Sequence, residues 1–251
     1  MEKGIYHSLV ERKKLQKKSF AVLIDPDKVD DEKMRHLILL AKQASVDYFF
    51  VGGSLITSGD LQRTVLGIKK RSSIPVVLFP GNHQQISEHA DAILLLSLIS
   101  GRNPDLLIGQ HVTAAQRLKA SELEIIPTGY LLIDGGTMTT VQYVSGTAPI
   151  PTDKVEIAAY TALAGEQLGM KLIFAEAGSG AKHHVPTEVI KAIKKEVNIP
   201  LIVGGGIRTP ESAAAVFKAG ANMVVVGNCF EKDPELIQDI AAARFNFKDA
   251  V

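Results

Sequence analysis

The sequence predicts a single (β/α)8-barrel domain over residues 1–251, on three observations. The length of 251 residues suits one such barrel. An apolar fraction of 46% is ample for a large core. Short apolar runs rich in Val, Ile, Leu and Phe alternate with amphipathic helical patterns, which indicates βαβ units around a parallel sheet.

Eight apolar runs are predicted to be strands. Each run is continuous rather than alternating in hydrophobicity, so each strand is expected to be buried on both faces. Eight such strands in a chain of this length favour a closed barrel. The predicted strands are 20–24, 48–51, 76–79, 92–96, 125–133, 172–176, 201–203 and 223–226.

Helical patterns fill most of the intervals between these strands. Thr209-Pro210-Glu211 has the features of a helix start, with a capping hydroxyl, a proline and an acid in the first turn. Between residues 79 and 92, however, Pro80-Gly81-Asn82 leaves room for little more than one turn, so the third outer helix is predicted to be degenerate. Residues 134–152 are rich in Gly, Thr, Ser and Pro and are predicted to form a long active-site loop or lid. The predicted helices are 30–44, 104–119, 153–168, 187–196, 210–218 and 233–243.

Composition excludes several classes of protein. Lys plus Arg number 28 and Asp plus Glu 27, so no strongly basic surface for nucleic acid is expected. The single cysteine, Cys229, excludes an intrachain disulfide framework and suits a reducing cytoplasm. The first residues lack a signal-peptide pattern, and no apolar run approaches the roughly 20 residues of a membrane span. We expect a cytoplasmic protein whose contact with membranes, if any, is peripheral.

Glycine-rich segments follow the last three predicted strands. Gly204-Gly205-Gly206 leads directly into a helix, and Gly227-Asn228 follows the eighth strand. Backbone N–H groups at such a turn and helix start form an anion site, and barrel enzymes commonly bind phosphate there. The alternative is that these glycines only make tight turns. For Arg208, a direct phosphate contact and a tie between loops at the rim are equally favoured.

Carboxylates and small residues follow the first two strands, on the opposite side of the barrel mouth. Asp25 ends the first strand, where it is a candidate general base or Mg²⁺ ligand. For Asp27 a turn that caps the next helix is favoured. Gly53 and Ser54 follow the second strand and could receive a second phosphate group. Anion sites on both sides of the mouth predict two phosphorylated substrates.

Glu176 is the candidate general base, because it ends the sixth strand among Gly and Ala residues and faces the barrel centre. The alternative is a buried structural glutamate paired with a lysine or arginine.

The motifs together resemble the geranylgeranylglyceryl phosphate synthase family, also called the PcrB family, of the archaeal-type subgroup. The resemblance covers nearly the whole length and keeps the order and spacing of the motifs. Phe174 stands where many members have tyrosine, and Leu23 where some bacterial members have lysine. The motifs that carry the resemblance are Ile24-Asp25-Pro26-Asp27-Lys28, Val51-Gly52-Gly53-Ser54, Phe174 to Gly180, Gly204-Gly205-Gly206-Ile207-Arg208 and Val226-Gly227-Asn228.

The resemblance implies a modified TIM barrel whose third helix is replaced by a short irregular segment. It implies a Mg²⁺-dependent prenyltransferase that joins sn-glycerol 1-phosphate to geranylgeranyl diphosphate, with Asp25 and Ser54 as metal ligands and Glu176 accepting the hydroxyl proton. It also implies an apolar groove for the prenyl tail, contact with membrane lipid and a homodimer or hexamer. The implied glycerol phosphate residues are Phe174, Ala175, Glu176, Ala177, Gly178, Ser179, Gly180, Gly205, Gly206, Gly227 and Asn228.

Two other functions remain open from the residues alone. A sugar-phosphate isomerase or cyclase of the histidine and tryptophan biosynthetic type would share the phosphate loops, with Asp25 and Asp134 as an acid/base pair. A catalytically silent barrel that binds a phosphometabolite would keep the glycines without needing Glu176.

Overall fold

All eight strands pair in parallel and in sequence order, and the last strand pairs with the first to close a barrel. The computed structural model describes residues 4–245. Each strand lies within two residues of its predicted position. The strands are β1 (Ser19–Ile24), β2 (Tyr48–Val51), β3 (Val76–Leu78), β4 (Ala92–Leu98), β5 (Glu124–Leu132), β6 (Leu172–Glu176), β7 (Leu201–Gly204) and β8 (Met223–Val226).

Helices surround the barrel, and the predicted fold class is confirmed, including the degenerate third position. Residues 79–91, between β3 and β4, contain turns and bends but no helix. A π-helical turn, Asp105–Gly109, precedes the helix after β4. The helices are α1 (Ile5–Lys14), α2 (Asp31–Gln43), α3 (Leu61–Lys69), α4 (Gln110–Ala120), α5 (Thr140–Ser145), α6 (Val155–Gln167), α7 (Thr187–Glu196), α8 (Pro210–Ala219), α9 (Asn228–Lys232) and α10 (Leu236–Ala242).

The core has two layers, because successive side chains of a strand point to opposite faces. On β6, Phe174 belongs to the cluster that fills the barrel interior. Its neighbours Ile173 and Ala175 belong to the larger cluster between the barrel and the helices. The continuous apolar strands seen in the sequence follow from this burial on both faces.

Helix α1, which the sequence analysis did not predict, closes the amino-terminal end of the barrel. Its Leu9 packs into the interior cluster. A residue far away in the sequence caps its first turn: Glu124 accepts hydrogen bonds from the backbone N–H groups of Ile5 at 2.5 Å and Tyr6 at 3.1 Å. The opposite, carboxyl-terminal end of the strands is therefore the open end.

The predicted loop or lid at 134–152 contains the short helix α5 and returns to the barrel beside β5. Asp134 donates its backbone N–H to the Ile150 carbonyl, and Ile150 donates to the Leu132 carbonyl. This pairing fixes both ends of the segment. None of the helices between residues 4 and 245 is both long enough and apolar enough to cross a membrane.

Asp27 joins the loop after β1 to the loop after β2. Its carboxylate accepts hydrogen bonds from the backbone N–H groups of Thr57, Ser58 and Gly59 and from the Thr57 hydroxyl. The cap of α2 is instead Asp30, which accepts from Lys33 N–H, so the expectation that Asp27 caps the next helix is wrong. These bonds, led by the Thr57 N–H, lower the pKa of Asp27 to about 2.

We predict that Asp27→Asn lowers the free energy of unfolding by about 1–2 kcal/mol at pH 7, because a partly exposed charge-assisted network is weakened. A carboxylate with a lowered folded-state pKa stabilises the fold above its unfolded pKa, and this contribution is lost as the pH falls toward 2. Urea unfolding at pH 7 and pH 3 measures the difference, which should shrink at pH 3. Asp153→Asn, on an exposed residue, is the matched control. An equal loss at both pH values would contradict the prediction.

Candidate active site

The carboxyl ends of the strands surround a cavity of about 240 Å³. It brings together the predicted groups from both sides of the mouth. Phe174, Ala175 and Ala177, which were predicted with the phosphate loops, do not line it: Phe174 lies in the barrel interior, and the two alanines pack in the layer beneath the helices. The predicted residues that line the cavity are Asp25, Ser54, Glu176, Gly178, Ser179, Gly180, Gly205, Gly206, Gly227 and Asn228.

Glu176 lines this cavity and is 7% exposed. Its Oε1 accepts a hydrogen bond of 2.8 Å from Gly178 N–H. No ion pair to this carboxylate is found among residues 4–245, which argues against the structural alternative of a lysine or arginine partner. Burial raises the pKa of Glu176 to about 7, against the opposing effect of the Gly178 hydrogen bond. A carboxyl group with such a pKa can accept a proton at neutral pH.

The glycines after β7 allow this carboxylate to fold against the backbone. A Cβ at Gly205 would lie 2.2 Å from Oε1 of Glu176, and the backbone there has φ +78°. Any other residue would push the carboxylate away and adopt a strained conformation. Gly205 therefore serves Glu176 as well as the anion site predicted from the sequence.

The phosphate side is formed by three neighbouring loops. Ser179 donates its hydroxyl hydrogen to Oδ1 of Asn228 at 3.1 Å and so links the loops after β6 and β8. The third loop leads into α8, which Thr209 and Ser212 cap reciprocally. Residues of all three loops line the same cavity, as expected for a phosphate site.

Arg208 ties two loops together. Its guanidinium donates to the backbone carbonyls of Ala181 at 2.5 Å and Lys182 at 3.3 Å. Of the two alternatives that the sequence left equal, the tie at the rim is the one supported by these contacts. Arg208 thereby fixes the loop after β6 against the start of α8.

On the opposite side of the cavity, Asp25 is held by its own loop. Its Oδ1 accepts from Asp27 N–H at 3.0 Å, and its Oδ2 lies 3.3 Å from Nζ of Lys28. A Cβ at Gly53 would lie 3.4 Å from Oδ1, so the loop that carries Ser54 runs directly beside the carboxylate. A carboxylate and a hydroxyl beside an open cavity are the hard oxygen donors that suit Mg²⁺, which keeps several waters.

Lys28 is a site residue that the sequence analysis did not single out. Its ammonium bridges Asp25 and Glu231, at 3.3 and 3.1 Å, and it lines the cavity. The hydrogen bond and charge of Glu231, together with Asp25, raise the pKa of Lys28 despite its partial burial. The ammonium therefore stays charged at the edge of an anion-binding cavity. Its position directly after Asp25-Pro26-Asp27 at a strand end was the available signal.

An aromatic cluster forms the floor between the two sides. Phe79 stacks on Phe174 with ring centroids 4.9 Å apart, and Tyr130 lies 5.7 Å from Phe174. Tyr130 was missed from the sequence, although it is a hydroxyl-bearing residue in an apolar strand. Burial, and then the charge of Glu176, raise the pKa of Tyr130 well above its usual value. The phenol therefore stays neutral.

A second cavity, of about 210 Å³, continues from the first between β4 and α4. It occupies the place where a third outer helix would lie. Leu106, Gln110, Ala114 and Leu118 line it along one face of the helical segment, over roughly 18 Å at 1.5 Å per residue. We call this cavity the apolar groove. Six residues line both cavities: Gly53, Ser54, Leu55, Phe79, Tyr130 and Val141.

Asp134 does not join the site. Its side chain is exposed and accepts a hydrogen bond from Gly136 N–H at 2.9 Å. It is not among the residues that line either cavity. The pairing of Asp25 with Asp134 that an isomerase or cyclase would need is absent from the described residues, 4–245.

Comparison with known proteins agrees with this geometry. The chain is 53% identical over 235 residues to a geranylgeranylglyceryl phosphate synthase of Spirosoma linguale, covering 94% of each chain. It is 45% identical to that of Thermococcus kodakarensis, covering 90% of this chain and 88% of the other. A crystal structure of (S)-3-O-geranylgeranylglyceryl phosphate synthase from Thermoplasma acidophilum in complex with sn-glycerol-1-phosphate superposes with a TM-score of 0.89 at 34% identity, covering 96% and 98% of the two chains.

More distant barrels share the fold alone. The tryptophan synthase alpha subunit of Legionella pneumophila superposes with a TM-score of 0.58 at 16% identity, covering 96% of this chain and 98% of the other. The model of the PcrB family matches residues 12–244. This match covers nearly all of the chain, and it includes both sides of the cavity and the apolar groove. The chain therefore belongs to the PcrB family.

Proposed function

We propose that this protein is a Mg²⁺-dependent prenyltransferase that joins sn-glycerol 1-phosphate to geranylgeranyl diphosphate. The products are 3-O-geranylgeranyl-sn-glyceryl 1-phosphate, which is an ether-lipid precursor, and diphosphate. The observation that carries the proposal is the position of Glu176, a buried carboxylate with a pKa of about 7, between three phosphate-type loops and an apolar groove. The hydroxyl group that accepts the prenyl chain and the apolar prenyl donor would meet there.

Glycerol phosphate would lie on the side of β6, β7 and β8. The backbone N–H groups of the converging loops and the short helix α9 suit its phosphate. The similar Thermoplasma acidophilum structure was solved with sn-glycerol-1-phosphate. The proposed contacts are made by Glu176, Gly178, Ser179 and Gly180 after β6, and by Gly205, Gly206, Gly227 and Asn228. Phe174, Ala175 and Ala177, which the family resemblance implied, support this segment from the core instead.

The prenyl diphosphate would lie across the boundary between the two cavities. Its diphosphate would face Asp25, Ser54 and Lys28, and its tail would enter the apolar groove beyond Phe79. Asp25 and Ser54 are the proposed Mg²⁺ ligands. When bound, the metal would offset the negative charge that develops on the departing diphosphate.

The reaction forms one bond and breaks one. The C3 hydroxyl oxygen of glycerol phosphate attacks C1 of the prenyl chain, and the bond from C1 to the diphosphate oxygen breaks, so that its electron pair leaves with the diphosphate. The Glu176 carboxylate accepts the hydroxyl proton. Phe79 and Tyr130 line both cavities, and there they would help to exclude water from C1. The face of an aromatic ring also favours positive charge that develops at that carbon.

The two rival functions are less well supported. A sugar-phosphate isomerase has no use for an apolar groove, and its proposed pair of Asp25 and Asp134 does not converge. A silent phosphate-binding barrel would have no reason to keep Glu176 buried without a charged partner, an arrangement that lowers stability. A catalytic base explains why that arrangement is retained.

Location and assembly are inferred from composition and from the exposed surface. A cytoplasmic location is proposed because a single cysteine, Cys229, suits a reducing compartment. Peripheral contact with membrane lipid, and a homodimer or hexamer, are supported by exposed apolar side chains near the apolar groove: Ile108 and Val112 are 60% and 68% exposed, and Tyr143 is 78% exposed. Such a surface is typical of a protein or membrane contact.

The test of the proposed function is transfer of radiolabelled sn-glycerol 1-phosphate into an organic-extractable product, with geranylgeranyl diphosphate as donor. We expect extraction that requires Mg²⁺ and is selective for this enantiomer over the 3-phosphate. Chelation of the metal and the enantiomer serve as controls. Absence of extractable label with every prenyl donor would overturn the proposal.

Glu176→Gln should reduce kcat by at least about 10²-fold, the usual scale for loss of a general base. Binding of sn-glycerol 1-phosphate, measured by calorimetry, should persist, because the amide oxygen can still accept from Gly178 N–H. The base must be ionised, so wild-type kcat/KM should rise with pH and level off above a pKa of about 7. The residual activity of the variant is the control for titration of the substrate phosphate. Unchanged turnover in the variant would refute the role of Glu176.

Ala114→Phe should shorten the apolar groove. Ala114 is 6% exposed and lines the groove beyond Gln110. We expect KM for geranylgeranyl diphosphate to rise by about tenfold or more, while farnesyl diphosphate is still used, because a filled hydrophobic pocket rejects extra methylenes. Ala115→Phe, on the exposed face of the same helix, is the matched control. An equal effect on both donors would contradict the prediction.

A further inference from the structure

Gln85 is a buried polar residue that touches neither cavity. It lies in the irregular segment that replaces the third outer helix and is 6% exposed. Its side chain makes two hydrogen bonds to two different loops: Oε1 accepts from Gly81 N–H at 3.0 Å, and Nε2 donates to the Gly53 carbonyl at 3.0 Å. A donor and an acceptor on opposite loops fix the orientation of the amide.

The two loops that Gln85 joins form the boundary between the cavities. Gly53 precedes Ser54 and runs beside the Asp25 carboxylate. Gly81 belongs to the wall of the apolar groove. The loops are in close contact, because a Cβ at Gly81 would lie 2.4 Å from the Gly53 carbonyl oxygen and 2.5 Å from that of Ser54. The Gly53 carbonyl and the Gly81 N–H are half-buried, and the Gln85 amide is the side chain that bonds both of them.

We propose that Gln85 is a positioning residue for the prenyl diphosphate: its amide sets the distance between the loop of Ser54 and the wall of the apolar groove. The donor must place its diphosphate on one loop and its tail along the other, so the relative position of the loops decides whether C1 points at the acceptor. The glycerol phosphate loops lie across the barrel and make no hydrogen bond to Gln85. This inference rests on the proposed function of the two cavities.

The test separates the two substrates. Gln85→Met keeps a flexible side chain of similar size but removes both hydrogen bonds. We expect KM for geranylgeranyl diphosphate and the Mg²⁺ concentration for half-maximal rate to rise about tenfold, which is within the range for two lost neutral hydrogen bonds. KM for sn-glycerol 1-phosphate should stay within about twofold, since its loops are untouched. A variant whose whole fold is loosened would instead show a higher KM for both substrates.

Binding without turnover gives a second readout. The thiolodiphosphate analogue of the donor, titrated by calorimetry with Mg²⁺, should bind the variant about tenfold more weakly, and sn-glycerol 1-phosphate should bind equally well. If Gln85→Met fails to fold, Gln85→Asn keeps a neutral amide on a side chain one methylene shorter, which cannot reach both Gly81 N–H and the Gly53 carbonyl, and the same measurements apply. Ser87→Ala is the matched control, because Ser87 is buried in the same segment and its hydroxyl has no partner among the described residues.

The outcomes are distinct. Unchanged analogue affinity, or an equal loss for both substrates, overturns the role of Gln85. If wild-type protein transfers no label with any donor, the proposed function fails, and binding of the analogue alone then decides whether Gln85 positions a prenyl diphosphate.

Discussion

Parallel pairing in a closed ring is the constraint on which the site depends. Because β8 pairs with β1, all eight strands end at the same rim, and residues far apart in the chain share one cavity. Asp25 and Asn228 come from opposite ends of the sequence, yet β1 and β8 are neighbours. Helix α1 fills the other end, so chemistry is confined to one face of the barrel.

Most of the fold could be predicted because the strands are buried on both faces, which leaves continuous apolar runs in the sequence. Helix α1 was missed for the opposite reason: Leu9 is its only fully buried residue, so the helix leaves no apolar run in the sequence, and its capping partner Glu124 lies more than a hundred residues away. The degenerate third helix could be read from Pro80-Gly81-Asn82, since these residues disfavour helix.

The candidate site was predictable where its chemistry lies in the backbone or at strand ends, as for Gly205 and Glu176. Roles that depend on contacts between different loops could not be predicted from the sequence. The sequence left the role of Arg208 open, and its hydrogen bonds to the Ala181 and Lys182 carbonyls decide it. The carboxylate of Asp27 binds a loop some thirty residues further along the chain rather than capping the next helix. The sequence does not mark Gln85 as a site residue, because its role comes from the backbone groups of the two loops that it joins.

The apolar groove exists because the segment between β3 and β4 is too short to cover the sheet. A complete barrel would bury the outer face of β4 under a helix and keep only the phosphate cavity. A helix of about three turns between β3 and β4 would close this opening, and the same scaffold would then admit only small phosphates at its mouth.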